Sequence, residues 1–199
     1  MDQILQKRIF TKHEIYLKET KVKYKVSKIG STNEVTIPFE NIEGDVIDFK
    51  SSNMVLLYSS IFMLVLSLAI LIARISGGDI GEYAEIVWLT IGIALFIFYL
   101  LSRKDLWKIK LIDNNYIYLH KNLPNTDEPK LFIDEMLEHR NQFLKKNYGT
   151  LDPNLNYEVQ LNKLRWLKSI EVLNQKEFDA KYEELKGYGN PDSKDIGFN

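Results

Sequence analysis

The feature that most constrains this chain is a pair of long apolar runs in its middle, joined by a short polar link. Neither Met54–Ala73 nor Ile86–Ser102 contains an Asp, Glu, Lys, Arg or His. With a rise of about 1.5 Å per residue, the first run as a helix covers about 30 Å, the thickness of the bilayer hydrocarbon. The second run reaches the shorter end of the spanning range. The sequence therefore predicts a transmembrane helical hairpin at residues 54–102, with helices at 54–73 and 84–102.

Alternatively, the two runs are core helices of a soluble domain. Core helices of a small protein usually keep a polar stripe that faces water, and neither run has one. The membrane hairpin is therefore the favoured interpretation. Because the first run begins only at Met54, we also expect no cleavable secretory signal.

A hairpin returns the chain to the side that it left, so the polar segments before and after it share one compartment. Cations flank the hairpin, whereas its loop is mainly acidic. The flanking cations are Lys50, Arg103, Lys104, Lys108 and Lys110, and the loop holds Arg74 with Asp79, Glu82 and Glu85. The positive-inside rule then places both termini in the cytoplasm and the hairpin in the cytoplasmic (inner) membrane. The absence of cysteine agrees with a reducing compartment. The net charge of -1 gives no field that would attract nucleic acid.

Short strands are predicted on both sides of the hairpin. Val22, Tyr24 and Val26 alternate with lysines, which is the period of a strand with one buried and one wet face. Further strands are predicted at 34–39, at 41–49 with a break at Gly44, at 106–112 and at 116–120, and an amphipathic helix at 132–148. Since neither side is large enough to close a core alone, we predict an α+β fold. Residues 12–53 and 103–149 would form one discontinuous antiparallel β domain that ends in a helix.

The last part of the chain changes character. After a linker at Asp152-Pro153-Asn154, residues 157–169 and 176–186 have the pattern of two short helices. Asn174 and Glu177 have the spacing of an N-terminal cap with a reciprocal glutamate. The sequence predicts a two-helix module at residues 157–187 and a disordered tail at 188–199.

Several segments resemble a bacterial pleckstrin-homology-like (PH-like) domain. The residues that carry the likeness are Ile37-Pro38-Phe39-Glu40-Asn41-Ile42, the strand at 115–120 and the segment 131–140. The resemblance covers residues 12–148, with the hairpin inserted between its strands. It implies a small antiparallel β domain closed by a C-terminal helix.

The segment Leu161–Lys186 resembles the short C-terminal helical module known as SHOCT. The residues that carry this likeness are Leu161, Leu164, Leu167, Glu177, Phe178, Lys181 and Leu185. Glu171 stands where that family often has a glycine in the turn. The resemblance implies a role in oligomerisation or docking.

Lysines concentrate on one predicted strand and its flanks. They are Lys18, Lys21, Lys23, Lys25 and Lys28. A hairpin would hold them near the cytoplasmic leaflet, where each cation close to an anionic bilayer contributes about 1 kcal/mol to binding. We predict that these lysines form a membrane-surface site. The alternative is a wet strand face on which lysines protect a sheet edge.

Residues suited to catalysis are few. His139 follows Glu135 by four positions on the predicted helix, but two ligands do not make a metal site. His13 and His120 stand alone in the sequence, and the motifs of phosphate loops, zinc proteases and serine hydrolases do not occur. The sequence predicts no enzyme activity, no cofactor and no metal.

The sequence favours a non-catalytic, membrane-tethered scaffold or regulatory subunit whose partners are proteins, with lipid headgroups as a second kind of contact. Two short helices are marginal in water, and those at the C-terminus carry more apolar side chains than they can bury between themselves. We therefore predict that the module binds a protein partner or a second copy, as a homo-oligomer. The predicted binding residues are Leu161, Leu164, Trp166, Leu167, Phe178 and Tyr182.

The alternative function is a small oligomeric channel or a subunit of a transport complex, assembled through the hairpin. Two spans cannot enclose a pore, so a channel requires several copies. Its candidate lining residues are Ser59, Ser60, Ser67 and Thr90. Small residues at Ala69 and Ala73 would allow helices to approach closely.

Overall fold

The computed structural model describes residues 2–78 and 81–188, which form an α+β structure with two antiparallel sheets and five α-helices. The first sheet contains β1 (Gln3–Arg8), β2 (Thr11–Leu17), β3 (Lys21–Lys28) and β4 (Ser31–Pro38). The second contains β5 (Ile42–Ser51), β6 (Lys104–Leu111) and β7 (Tyr116–His120). The helices are α1 (Met54–Ile75), α2 (Ala84–Ser102), α3 (Glu128–Tyr148), α4 (Tyr157–Ser169) and α5 (Gln175–Gly187).

The chain divides into two compact units. One comprises the described residues of Met1–Ile47 and Trp107–Asn199, and the other comprises those of Asp48–Leu106. The C-terminal helices thus belong to the same unit as the β domain, whereas the sequence treats 157–187 as a module of its own. Of the tail predicted at 188–199, only Tyr188 lies within the described residues.

The first sheet is a meander in the order β1-β2-β3-β4, and its register sorts the side chains onto two faces. Ile15 pairs with Tyr24, and Leu17 pairs with Val22, which pairs in turn with Ile37 of β4. These side chains lie on the inner face, where Ile15 and Val22 are fully buried. The alternation predicted for β3 is therefore correct.

The second sheet and α3 cover that inner face and complete one hydrophobic core. Phe39, Ile109 and Phe132, from three distant parts of the chain, are all fully buried there. The core thus combines residues from the segment before α1 with residues from the segment after α2. Its buried members are Ile4, Ile15, Leu17, Val22, Ile37, Phe39, Ile42, Ile109, Leu111, Ile117, Leu119, Phe132, Ile133 and Met136.

One buried amide joins β1 to the end of β7. The Gln6 side chain is 1% exposed, accepts a hydrogen bond from the His120 backbone N–H at 2.7 Å and donates to the His120 carbonyl at 2.8 Å. It also donates to the Leu123 carbonyl. Buried backbone groups need such partners, because no water reaches them.

Three elements differ from the sequence prediction. β1 lies outside the predicted segment 12–53. α3 begins at Glu128, before the predicted start at residue 132. It begins there because Pro129 fits the first turn of a helix and the Asn125 side chain accepts hydrogen bonds from two backbone N–H groups at this end. β5 is not broken at Gly44. A Cβ atom at Gly44 would lie 2.9 Å from Oε2 of Glu171, so the glycine marks a close approach of the C-terminal helices and does not interrupt the strand.

The second unit contains the helical hairpin α1–α2, and both helices are long and apolar enough to cross a membrane. Polar and small residues lie between the two helices. Ser60 donates to the Gly92 carbonyl at 3.1 Å, and Ser67 donates to the Glu85 carbonyl at 2.8 Å. A Cβ atom at Gly92 would lie 2.8 Å from Cδ2 of Leu64, so glycine permits the close approach.

We predict that replacing Gln6 with leucine destabilises the β domain. The substitution removes three hydrogen bonds that the Gln6 side chain makes with the backbone of His120 and Leu123, and we expect the free energy of unfolding to fall by about 2–4 kcal/mol. Urea unfolding in detergent micelles measures the change. Gln3→Leu, at an exposed position of the same strand, is the control. Equal stability of the two variants would contradict the role of Gln6.

Candidate functional site

The register of the first sheet distributes the five predicted membrane-surface lysines over different parts of the sheet. Lys21, Lys23 and Lys25 alternate along β3 on its outer face, opposite to the face that Val22 and Tyr24 occupy. Lys28, at the far end of β3, falls on the inner face by the alternation along the strand. Lys18 lies in the β2–β3 turn. Only three of the five lysines therefore share one face.

Carboxylates on neighbouring strands neutralise part of this face. Lys23 forms an ion pair with Glu34 of β4 at 2.8 Å, and Lys25 lies 3.5 Å from Glu14 of β2, which also pairs with Lys12. Mainly through its bond with Lys12, Glu14 has a pKa below its usual range. Opposite charges side by side are typical of a solvated strand face. The membrane-surface assignment of these lysines stays a prediction.

An open groove of about 520 Å³ lies beside the β2–β3 turn. Lys18, Lys21 and Lys23 line it, together with the carboxylates of Glu19 and Glu34. Its mixed charges do not make a site selective for anions. The groove therefore gives no chemical assignment.

The six predicted partner-binding residues of the C-terminal module divide into two groups. Leu161, Leu164 and Leu167 are 5%, 0% and 0% exposed and belong to a second hydrophobic cluster, which includes Leu144 of α3 and Leu185 of α5. These leucines, which the two helices do not cover between themselves, are thus covered with the help of α3 of the same chain. Burial within one chain accounts for these three leucines.

Trp166, Phe178 and Tyr182 are only partly buried, at the border of this cluster. Phe178 and Tyr182 stack with ring centroids 6.0 Å apart, and the Trp166 ring meets Tyr148 of α3 edge to face at 5.3 Å. We call the partly buried aromatic side chains of this border the aromatic rim. It consists of Tyr148, Tyr157, Trp166, Phe178 and Tyr182; Phe143, which also packs against the first core, is not counted in it.

Polar contacts fix the module to the rest of the unit. Lys145 of α3 pairs with Glu177 of α5 at 2.6 Å, and Lys181 donates to the Gly149 carbonyl at 2.6 Å. Within the rest of the unit, the Tyr148 hydroxyl of α3 donates a hydrogen bond to Glu40 at 2.9 Å. The bond to Lys145 and the Asn174 backbone N–H together hold the pKa of Glu177 below its usual range. Asn174 and Glu177 form the predicted capping box.

Arg140 is the contact that the sequence analysis missed. Its side chain is fully buried on α3 and donates to the Ile170 carbonyl at 2.9 Å and to Oδ1 of Asn141 at 2.7 Å. Its Nε has no partner, and burial lowers its pKa to about 10, against the opposing effect of Glu171 and Glu43. A signal was present, because Phe132, Met136, Arg140 and Leu144 follow one another at four-residue intervals on the buried stripe.

The turn that Arg140 holds has an unusual backbone. Glu171 has φ of 61°, in the left-handed region that favours glycine. This is the position at which the sequence departs from the SHOCT pattern. The glutamate keeps a carboxylate near the buried guanidinium, which a glycine would not supply.

The structure brings together two histidines that stand apart in the sequence. The rings of His13 and His120 have centroids 5.6 Å apart, and Nδ1 of His13 lies 2.9 Å from the Tyr24 hydroxyl. Burial raises the pKa of Tyr24 to about 12. His139 is exposed on α3, and within residues 2–78 and 81–188 no group of three or more His, Asp or Glu side chains is arranged to hold a metal ion.

Comparison with known proteins gives no relative. No protein-family model, no curated protein and no solved structure matches the chain. The resemblance to PH-like and SHOCT domains therefore stays a prediction that depends on the residues named above.

We predict that Arg140→Met loosens the turn at Ile170. Loss of one buried hydrogen bond, at about 1–2 kcal/mol, would accelerate amide hydrogen exchange in residues 168–174 by about tenfold. Hydrogen-exchange mass spectrometry of the full chain measures the rate. Arg165→Met, at an exposed position of α4, should leave it unchanged. A normal rate in Arg140→Met would show that the guanidinium does not hold the turn.

We predict that the ion pair between Lys145 and Glu177 makes the stability of the unit depend on pH. Because the folded-state pKa of Glu177 is lowered, its contribution is present above the unfolded value of about 4.3 and is lost as the pH falls through the folded value. Lys145→Met should therefore lower the thermal midpoint at pH 7 and converge with the wild type in acid. Lys146→Met, at the exposed neighbouring lysine, is the control. A difference that does not change with pH would refute the pair.

Proposed function

We propose that this chain is a non-catalytic integral protein of the bacterial inner membrane, with both termini in the cytoplasm. In this proposal the hairpin is an anchor. The β domain and the C-terminal helices act together as a scaffold or regulatory subunit, which binds a protein partner or a second copy of the chain. The observation that carries the proposal is the aromatic rim together with the aliphatic side chains beside it. Leu155, two residues before α4, is 47% exposed, and Val159, in the first turn of α4, is 50% exposed.

These aliphatic side chains extend the rim along α4. Val159 and Trp166 are seven positions apart, which is two helical turns, so they lie on the same side of the helix. The surface thus combines exposed aliphatic groups with partly buried aromatic rings, and aromatic residues are enriched at the centre of protein interfaces. Lys168 over Phe178 and Lys186 over Tyr182 add a polar border. A protein partner of apolar and acidic character fits such a surface.

The polar contacts within the hairpin support an anchor over a channel. Ser60 and Ser67, two of the four candidate lining residues of a channel, donate to backbone carbonyls of the opposite helix. Thr90 donates to the Ile86 carbonyl one turn before it in its own helix. Three of the four hydroxyls therefore have their hydrogen bonds satisfied inside the hairpin.

Arg74, near the end of α1, forms an ion pair with Glu85, at the start of α2. Arg74 is the one cation at this end of the hairpin, against the five cations that flank the hairpin, Lys50, Arg103, Lys104, Lys108 and Lys110. This bias in Lys and Arg supports the proposed orientation.

The strand arrangement supports a PH-like assignment for the β domain. Four strands, then three, enclose one core, and α3, the first α-helix after β7, covers it. The SHOCT-like assignment of the terminal helices is supported by the buried leucine triplet and the capping box. These features agree with the proposed families without identifying them.

We predict that the protein is a multimer through α4 and not through the hairpin. Val159→Glu places a charge in the proposed interface and should convert the detergent-purified multimer to the 23.3 kDa protomer, as measured by native mass spectrometry. Leu131→Glu, an equivalent change at an exposed leucine of α3, should leave the multimer intact.

Ala69→Leu tests the alternative, because Ala69 is exposed on α1. If this substitution dissociates the multimer and Val159→Glu does not, assembly occurs through the hairpin and the channel or transport function is favoured. Deleting residues 150–199 is a poorer test, since it would also uncover Leu144 and Tyr148 on α3.

A further inference from the structure

The outer edge of β4 is open. β4 is the last strand of the first sheet, and in the part of the chain that the structure describes no other strand pairs with its far side. All residues from Ser31 to Thr36 are exposed. The opposite edge of the sheet is different, because the Gln6 side chain of β1 bonds to the backbone of His120 at the end of β7. β4 is therefore the edge that a further strand can reach.

The register of β3 with β4 shows which backbone groups of β4 point away from the sheet. Along an antiparallel ladder, hydrogen-bonded pairs alternate with pairs that are not hydrogen-bonded. The Phe39 N–H donates to the Thr20 carbonyl at 3.2 Å, so every second residue before Phe39 has its backbone groups turned toward β3. Pro38 points away and has no N–H group, so the open ladder ends there. The residues with outward N–H and C=O groups are Thr32, Glu34 and Thr36.

This edge lacks the features that usually block an edge strand. Natural sheets protect long edges with a bulge, with lysines or with a proline inside the strand. β4 pairs with β3 residue for residue, without a bulge, and its one proline is its last residue. Its one charged side chain, Glu34, forms an ion pair with Lys23 of β3 at 2.8 Å. An open edge of this kind is a template for a further strand.

The two faces beside the edge define the side chains that an added strand needs. Val35 lies on the inner face of the sheet, as Ile37 does, yet its side chain is 54% exposed. An added strand would place apolar side chains beside Val35 and shield it from water. On the outer face, the groove of about 520 Å³ borders Glu34 and Thr36 and leaves room for a polar side chain.

The groove also determines the charge that this polar side chain should carry. Three lysines and two glutamates line the groove, so one acidic side chain balances their charge. Lys21 pairs with Pro38, two positions from Thr36, so an acidic residue opposite Thr36 lies near Lys21. The groove alone selects no ligand, but beside an open backbone edge it selects among strands. Main-chain hydrogen bonds supply the affinity, and the alternate side chains supply the specificity.

We propose that the open edge of β4 binds an extended segment of a partner protein, which adds a fifth strand to the first sheet. The segment has apolar residues at every second position, beside Val35, and an acidic residue opposite Thr36. Assembly through α4, which is part of the proposed function, uses a different element, so the edge of β4 stays free for this partner. The edge is thus a second interaction surface, separate from the aromatic rim.

Two peptides that differ only in the position of their methyl groups test the backbone contact. Each is an acetylated peptide amide of six residues, in which aspartate comes first and valine then alternates with threonine. In the probe peptide, the backbone nitrogens of the valines are methylated, which blocks the edge that faces away from β4 and prevents fibrils. In the control peptide, the nitrogens of the aspartate and the threonines are methylated, which blocks the edge that faces β4.

Hydrogen exchange of the full chain in detergent micelles, resolved to single residues by mass spectrometry, measures the binding. Without peptide, we expect fast exchange at the amides of Thr32, Glu34 and Thr36, because they face solvent. With the probe peptide at about ten times its dissociation constant, these amides should exchange about tenfold more slowly. The control peptide should leave their rates unchanged.

Variants of β3 and β4 test the backbone and the charge separately. Thr36→Pro removes one edge N–H group and should weaken binding of the probe peptide by about tenfold or more, whereas Thr36→Val keeps the group and should not. Lys21→Gln should weaken binding, because Lys21 lines the groove. Lys28→Gln, at an exposed lysine of the same strand outside the groove, should leave it unchanged.

Three results would overturn the proposal. Equal protection by the probe and control peptides would show that side chains alone bind them, and no protection by the probe peptide would show that the edge accepts no strand. Slow exchange at positions 32, 34 and 36 before peptide is added would show that a second copy or another segment of this chain already covers the edge.

The Val159→Glu variant separates this proposal from the proposed function. It should bind the probe peptide as the wild type does, because the aromatic rim is a different surface. If the variant no longer binds the probe peptide, the peptide binds at the rim and the edge proposal is wrong. If the variant stays a multimer and still binds the probe peptide, the assembly through α4 is wrong and the edge proposal stands.

Discussion

A single helix contributes to both hydrophobic cores of the larger unit, and the rest of that unit depends on it. The first half of α3 covers the β sheets with Phe132, Ile133 and Met136, and its second half meets the C-terminal helices through Leu144. Neither the β domain nor the two terminal helices can bury their apolar side chains without it. A helix that serves two cores makes their stabilities depend on each other, because a displacement of α3 opens both.

Arg140 lies between these two groups on α3, and it explains how the C-terminal helices are oriented. Burying a guanidinium is costly unless its donors find acceptors, and here the Ile170 carbonyl at the end of α4 is one of them. Glu43 and Glu171 add favourable charge from β5 and from the turn. Apolar packing alone permits helices to slide, whereas a buried charge with fixed acceptors permits one arrangement. Gly44 completes this arrangement, because it leaves room for Glu171.

The hairpin follows a different physical logic. In the bilayer that we propose for it, apolar side chains gain nothing by leaving lipid for one another, so close packing and hydrogen bonds would hold the helices together. Gly92 provides the close approach, and Ser60 and Ser67 provide bonds to backbone carbonyls. The same serines would be lining candidates if only their polarity were considered. Their hydrogen bonds connect the helices, which agrees with an anchor.

The sequence by itself determined the elements whose signal is local. The length of the apolar runs, the alternation of Val22 and Tyr24 and the cap at Asn174 each depend on neighbours within a few positions, and the structure has all three. Only the tertiary structure decided which apolar side chains are covered. Leu164 is buried because α3 lies over it, and Gln6 finds its partner at His120. Periodicity within one element identifies a buried face, but what covers that face depends on residues far away in the chain.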